Sequence, residues 1–241
     1  MVKRVFESIF LGDWSKEEID CLLKKFSRLR QSKKIALLCE RFLNTPYKDS
    51  TLIGNKEVPE VFVINLKYVD CFTFIDYIEA LRRSKSFLDF KENLKTVRYK
   101  KGKISFKNRN HFFSDWGVYN KDRIKDVTEE IGDKKVIKTK KVLNDKGDGT
   151  FFLDGIKCKR RIVTFIPVNY INSIIKRLKT GDYIGIYSEK KGLDVSHVGI
   201  YIKERGKGLF FHASSKKGKV IKEDFIDYLK DKRGIIVLRP L

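Results

Sequence analysis

Segments with helical period fill the first third of this chain, and short strand-like segments crowd its last quarter. That order constrains the fold more than any single residue does. The stretch "SKEEIDCLLKKFSRLRQ" opens on Ser15 with Glu18 three residues on, the two ends of a capping box. Ile19, Leu22, Leu23, Phe26 and Leu29 then recur with helical spacing. "KKIALLCERFLN" predicts a second helix through Ile35, Leu38, Cys39 and Phe42, and the Asn, Pro and Gly of "NTPYKDSTLIGN" end it. "DCFTFIDYIEALRRS" predicts a third, with Phe74, Ile78 and Leu81 on one face. Later, "PVNYINSIIKRLKTGD" reads as a helix closed by Gly181. The pieces "DYIGIYS", "DVSHVGIYI" and "GLFFHASS" follow as strands with glycine-containing connections. A short helix in "KEDFIDYLKDKRG" and a strand in "IIVLRP" finish the chain. Helices first and strands last predict an α+β fold with helices packed on a central antiparallel sheet. No repeat or low-complexity linker interrupts residues 1–241, which read as one domain with an N-terminal helical subregion over about 15–44.

The middle is less regular. "TVRYKKGKISFKNRNHFFSDWGVYN" reads as a hairpin followed by a loop. "VLNDKGDGTFFLDG" has a calcium-loop flavour, but its acidic residues miss the alternate positions such a loop needs and no closing Glu follows. It is expected to be a turn between strands.

Composition narrows the function classes. Hydrophobic residues make up 41% and aromatics 12% of the 241 residues, a globular composition. No apolar run approaches the ~18 residues of a membrane span. "MVKRVFESIFLGDW" makes a poor secretory signal, so the protein is expected either to be cytoplasmic or to have lost a leader. The net charge of +22 favours anionic partners, although the lysines are scattered as on a solvated surface. The aromatics form no evident base-stacking motif, and no nucleic acid is expected.

The four cysteines, at 21, 39, 71 and 158, include no C-x-x-C pair, so no metal site or thioredoxin-type motif is expected. Cys21 and Cys39 fall on apolar helical positions and are expected in the core. Cys71 directly follows an acidic residue at a helix start, where free N–H groups and the helix dipole favour a thiolate. The three histidines are His111, His197 and His212. On its strand, His197 shares a face with Gly199 and Tyr201, away from Val198, Ile200 and Ile202. Neighbouring strands lie ~4.8 Å apart, so His197 and His212 can meet. These residues make either a nucleophile with its base and orienting partner, or a buried thiol and two hydrogen-bonded histidines; spacing alone does not choose between them.

Longer strings do. "NTPYKDSTLIGNKEVPEVFVINLKYVDCFTFIDYIEAL", "NRNHFFSDW", "GDYIGIYSEKKGLDVSHVGIYI" and "HASSKKGKVI" together resemble the N-acetylmuramoyl-L-alanine amidase-like branch of the NlpC-type cell-wall cysteine hydrolases. The resemblance runs from about Leu43 to the C-terminus. It implies a papain-like fold, no cofactor and no metal. It also implies a Cys71 nucleophile, a His197 base, His212 as its orienting partner, and Tyr47 as an oxyanion ligand, this last despite an unusually long gap from Tyr47 to Cys71. The "RNHFFSDW" block implies that Arg109, Asn110, His111, Asp115 and Trp116 line a substrate cleft, with Asp70 and Ser196 beside them. The implied substrate is a peptidoglycan fragment, a muropeptide cut between N-acetylmuramic acid and L-alanine. The alternative bond is the γ-D-glutamyl–diamino acid bond of the stem peptide. The alternative class is a basic binder of nucleic acid or another anionic polymer. The implied location is the cell envelope or periplasm.

Overall fold

The computed structural model describes residues 6–241. The chain forms two compact units. The first comprises residues up to Asn110 together with Ala213–Ile221, and the second comprises His111–His212 and Lys222–Leu241.

The first unit is built on four helices. Strand β1 (Glu7–Phe10) precedes α1 (Lys16–Phe26) and α2 (Gln31–Phe42). The capping box at Ser15 forms as expected, with Glu18 N–H donating to Ser15 Oγ at 3.0 Å and Ser15 N–H donating to Glu18 Oε2 at 2.7 Å. Strand β2 (Phe62–Asn65) runs parallel to β1 and leads into α3 (Cys71–Arg82). This small parallel pair is absent from the sequence reading. Cys39 is buried as expected, whereas Cys21 is exposed, because α1 turns only Ile19 and Leu23 fully inward. Expected to be apolar on one face, α3 is instead buried all round from Thr73 to Arg82.

Full burial forces the polar residues of α3 to find partners. Arg82 grips Glu79 through two hydrogen bonds, at 2.6 and 2.7 Å. Asp76 accepts from Arg98 Nε at 2.9 Å, and Arg98 Nη1 also donates to the Val63 carbonyl at 2.5 Å. The Asn65 N–H donates to the Tyr77 hydroxyl at 2.8 Å. These bonds fix α3 against β2 and against α4 (Phe87–Arg98), so the start of α3 is set by rigid neighbours. Phe42, Phe74, Tyr77 and Phe90 pack edge to face or offset around the same helix. Replacing Arg98 by Ala leaves the Asp76 carboxylate buried without its cation, and the expected cost is about 3–5 kcal/mol in urea unfolding.

The region read as a hairpin and loop contains the end of α4, two 3₁₀ turns and α5 (Phe113–Tyr119). Helix α4 carries its own start signal, Ser86 accepting from Asp89 N–H at 3.1 Å, and buries Phe87, Phe90, Leu94 and Val97 at helical spacing.

The second unit is a sheet. After β3 (Ile124–Asp126) and α6 (Thr128–Gly132) come β4 (Ile137–Leu143) and β5 (Lys159–Pro167), joined by the "NDKGDG" segment. That segment is the expected turn, with Gly147 N–H donating to Asp145 Oδ1 at 2.7 Å. The expected helix after Pro167 is only one α turn, α7 (Ile171–Ile174), between two 3₁₀ turns. Strands β6 (Asp182–Tyr187), β7 (Val195–Glu204), β8 (Lys207–Ser214) and β9 (Lys219–Asp224) follow, then α8 (Phe225–Leu229) and β10 (Gly234–Pro240). The strand order is β4-β5-β10-β6-β7-β8-β9, with β3 pairing the far end of β10. The pairings among β3, β4, β5, β6, β7, β8 and β10 are antiparallel. The α+β class with a large antiparallel sheet is therefore as expected. Ile166, Ile184, Ile235, Val237 and Phe225 form its core with Ile131 and Ile171. No helix among the described residues is long and apolar enough to cross a membrane.

Candidate active site

In the first unit, Cys71 is placed by a helix cap. Asp70 Oδ1 accepts from the N–H groups of Phe72 at 2.9 Å and Thr73 at 2.7 Å, while Asp70 N–H donates to Thr73 Oγ1 at 2.9 Å. This reciprocal cap starts α3 at Cys71, half-buried at the first helical position. Asp70, expected beside the substrate, is thereby occupied in holding the helix start. Tyr47 is tied close by. Its N–H donates to the Gly218 carbonyl at 2.8 Å, and it bridges Val69, two residues before the cysteine. Burial raises the pKa of the Tyr47 phenol, and negative charge on Cys71, Asp70 and Asp49 adds to the shift. The phenol therefore keeps its proton near neutral pH and remains a hydrogen-bond donor.

In the second unit, β7 and β8 form a hairpin that closes through Arg205 and Gly206, both with positive φ, at 47° and 83°. Gly206 takes this conformation without steric cost. The hairpin brings the two histidines together, His197 Nε2 to His212 Nδ1 at 2.7 Å. Gly199 makes room: a Cβ there would meet the Phe210 ring at 2.5 Å. Phe210 in turn stacks on His212 with centroids 4.9 Å apart, and Tyr228 lies 5.0 Å from the same ring.

His212 Nε2 meets Glu223 Oε1 at 2.7 Å, a residue the sequence reading missed. Proton positions follow from this contact. A carboxylate only accepts, so His212 carries its proton on Nε2 and offers the Nδ1 lone pair. His197 then carries its proton on Nε2 and donates it to His212. The lone pair of a neutral His197 is thus fixed on Nδ1, the atom a base needs. Burial pushes the His197 pKa down to about 3, with the His212 and Lys232 charges adding to it. Burial also lowers the His212 pKa, against the opposing pull of Glu223. Both rings are neutral at physiological pH. In Glu223→Ala, His212 is free to take the other tautomer, which would move the His197 proton onto Nδ1. We expect about a tenfold loss of kcat with KM unchanged. The loss is far smaller than for a buried triad carboxylate, because the Glu223 side chain is 40% exposed and water can replace it.

The "RNHFFSDW" residues are mostly committed elsewhere. Arg109 lies in the first unit, where its Nε and Nη2 grip Glu60 at 3.0 and 2.6 Å; Glu60 also accepts from the Tyr99 hydroxyl at 2.7 Å. Asn110 is buried and donates to the Val97 carbonyl at 3.0 Å. In the second unit, Asp115 is buried against Lys159, at 2.8 Å, and Arg161. Trp116 is fully buried, stacked on Phe113 and edge-on to Tyr183. Arg109, Asn110, Asp115 and Trp116 each have a polar or aromatic group engaged inside their own unit, and lining a substrate cleft is a role proposed for them from the family resemblance alone. His111 is half-buried, and Ser196 is exposed with Oγ 3.4 Å from the Ile186 carbonyl. The block's own anchor is Asp194, also missed in the sequence. It accepts from Ser114 N–H at 2.6 Å and Val195 N–H at 2.8 Å, joining the start of α5 to the start of β7. Among the described residues, no three His, Cys, Asp or Glu side chains are grouped to hold a metal ion.

Comparison with known proteins bears on this arrangement. A crystal structure from Legionella pneumophila, of the DUF1460 family, superposes with a TM-score of 0.80 over 94% of each chain at 24% identity, a likeness of fold. An N-acetylmuramoyl-L-alanine amidase from Bacteroides uniformis is 27% identical, with a TM-score of 0.75 over 88% of this chain and 99% of its own. A protein from Bacteroides fragilis, provisionally described as a xylanase, is 30% identical, with a TM-score of 0.70 over 84% of this chain and 99% of its own. No curated protein matches. The AmiA-like family model, described as N-acetylmuramoyl-L-alanine amidase-like, matches residues 37–235, and the chain belongs to that family.

Proposed function

We propose that this protein is a papain-like cysteine amidase that hydrolyses the bond between the lactyl group of N-acetylmuramic acid and L-alanine in muropeptides. The observation that carries the reading is the His197–His212–Glu223 chain, which presents a neutral, tautomerically fixed imidazole in a protein of this family. A purely polyanion-binding module would show affinity that falls steeply with salt and no dependence on Cys71.

The proposed reaction has two halves. The Cys71 thiol gives its proton to His197 Nδ1, and the sulfur attacks the lactyl carbonyl. The Tyr47 hydroxyl and the Cys71 N–H stabilise the oxyanion. The C–N bond then breaks as His197 passes the proton to the leaving amine of L-alanine, which leaves a thioester. In the second half His197 takes a proton from water, hydroxide adds to the thioester, and the sulfur departs, taking that proton back from His197, as the carboxylic acid forms. The imidazolium that forms transiently is stabilised through His212 by the Glu223 carboxylate.

Incubation with purified muropeptides, read by mass spectrometry, tests the reading. The expected products are the intact sugar and a stem peptide beginning with L-alanine, with free stem peptide left uncut. A site that pairs its polar groups with the sugar rejects ligands that lack it. Products beginning at the diamino acid would instead establish the endopeptidase specificity. A cell-envelope location follows from such a substrate, and detection of the protein in the envelope fraction of its host is the corresponding check.

A further inference from the structure

The outward face of the β4–β5 ribbon is unlike the rest of the sheet. Strands β4 and β5 together carry six Lys and Arg side chains and no carboxylate. In the paired register, Lys138 faces Thr164, Lys140 faces Ile162 and Val142 faces Arg160. These six residues, three of them cations, share the outward face, because Lys141, Leu143 and Val163 on the other face are buried, and Lys159 and Arg161 on that face pair with Asp115. Cations and aliphatic side chains therefore interdigitate. Ile162 is 63% exposed and Val142 40%. Lys138 is paired with Glu129 at 2.9 Å, but Lys140 and Arg160 have no ion pair among the described residues. Ile162 also lines an adjoining groove of about 640 Å3 together with Ile236, Leu238, Lys121, Lys125 and Asp126.

We propose that this face docks on an anionic lipid bilayer, with Lys140 and Arg160 on headgroups and Ile162 and Val142 entering the acyl boundary. Two features choose a bilayer over other polyanions. Exposed aliphatic side chains gain nothing from a nucleic acid or a soluble anionic polymer but do gain from leaving water at a membrane interface. The face also has no aromatic platform on which bases could stack. Lysine on an edge strand serves in many proteins only to prevent edge pairing, a role that gives no reason for an isoleucine exposed between the cations. The net charge of +22 adds long-range attraction to the same kind of surface.

Co-sedimentation with vesicles tests this independently of any hydrolase activity. The full chain is expected to bind phosphatidylglycerol-containing vesicles, to be released by rising salt, and to ignore pure phosphatidylcholine. Each headgroup contact by a Lys or Arg is worth about fivefold in affinity, so Lys140→Gln with Arg160→Gln should weaken binding roughly thirtyfold. Ile162→Ser should weaken it roughly tenfold on vesicles and leave binding to a short DNA duplex unchanged. All three positions are exposed, and an unchanged circular dichroism melt verifies the fold of each variant. Absence of binding to anionic vesicles overturns the proposal. So does vesicle binding that Ile162→Ser leaves intact, since that would mark a general polyanion surface.

Discussion

Cys71→Ala should abolish muropeptide cleavage, lowering kcat by at least about 1,000-fold, while leaving the protein folded and able to bind substrate. With Cys71 as the proposed nucleophile, its loss would remove the covalent route altogether, and any residual rate would come from the oxyanion donors and binding alone. The fold should tolerate the change. Cys71 is only half-buried, and the cap that begins α3 is made by Asp70 and Thr73. Brief alkylation of the wild type near neutral pH is the matching chemical test. The helix start favours the thiolate, and the modified residue should be Cys71 ahead of Cys21 and Cys158, both exposed on the surface, and of Cys39, which is buried. Burial raises the Cys39 pKa well above the ordinary thiol value, so it should react last. Trapping of the thioester as a mass increment on the Cys71 peptide would establish the nucleophile directly. Cleavage that survives alkylation of Cys71 would overturn the assignment.

Some of this was readable in the chain and some was not. The caps at Ser15 and Asp70 are local, so the starts of α1 and α3, and with them the position of Cys71, can be read from neighbouring residues. The β7–β8 hairpin is equally local, and strand geometry alone is enough to suggest that His197 meets His212. Glu223 was missed because nothing in "KVIKED" distinguishes it from other surface acids; only the sheet sets it against His212 Nε2. Asp194 was missed for the same reason, because its partner Ser114 is far away in sequence. The unread α4 and the hairpin-and-loop reading of residues 96–120 have another origin. Helix α4 places Lys and Asn among its apolar positions, and its Ser86 cap follows directly on another helix, so the period is short and easily read through. Arg109 and Asp115 illustrate a general limit. A charged residue in a recognisable motif looks functional in sequence, but its fixed partners, here Glu60 and the Lys159–Arg161 pair, come from distant positions and cannot be read there. These contacts brace α5 and the segment before it.

His197→Ala should be the second most damaging change, with kcat reduced ~100- to 10,000-fold, the range for loss of a positioned proton shuttle. His212→Ala should cost less. It leaves the base in place and opens a space that water can fill, so the loss is of tautomer and orientation. Equal or reversed losses in folded variants would exchange the two roles. Stability supplies a readout separate from turnover. In the folded protein the His197 pKa lies near 3, depressed from an ordinary 6.5, and that of His212 is also lowered. An unfolded chain binds these protons at about pH 6.5 and the native one does not, so the contribution to stability is present above pH 6.5 and lost as the pH falls toward 3. His197 gives a slope of up to about 1.4 kcal/mol per pH unit in that window, and His212 adds to it in the same direction. Urea unfolding at stepped pH between 6.5 and 5, above the range where most carboxylates titrate, should therefore show stability falling with acid in the wild type. The His197 share of that slope should be lost in His197→Ala. A wild-type slope near zero would mean that His197 is readily protonated in the native state, and the neutral, poised base on which the mechanism depends would have to be abandoned.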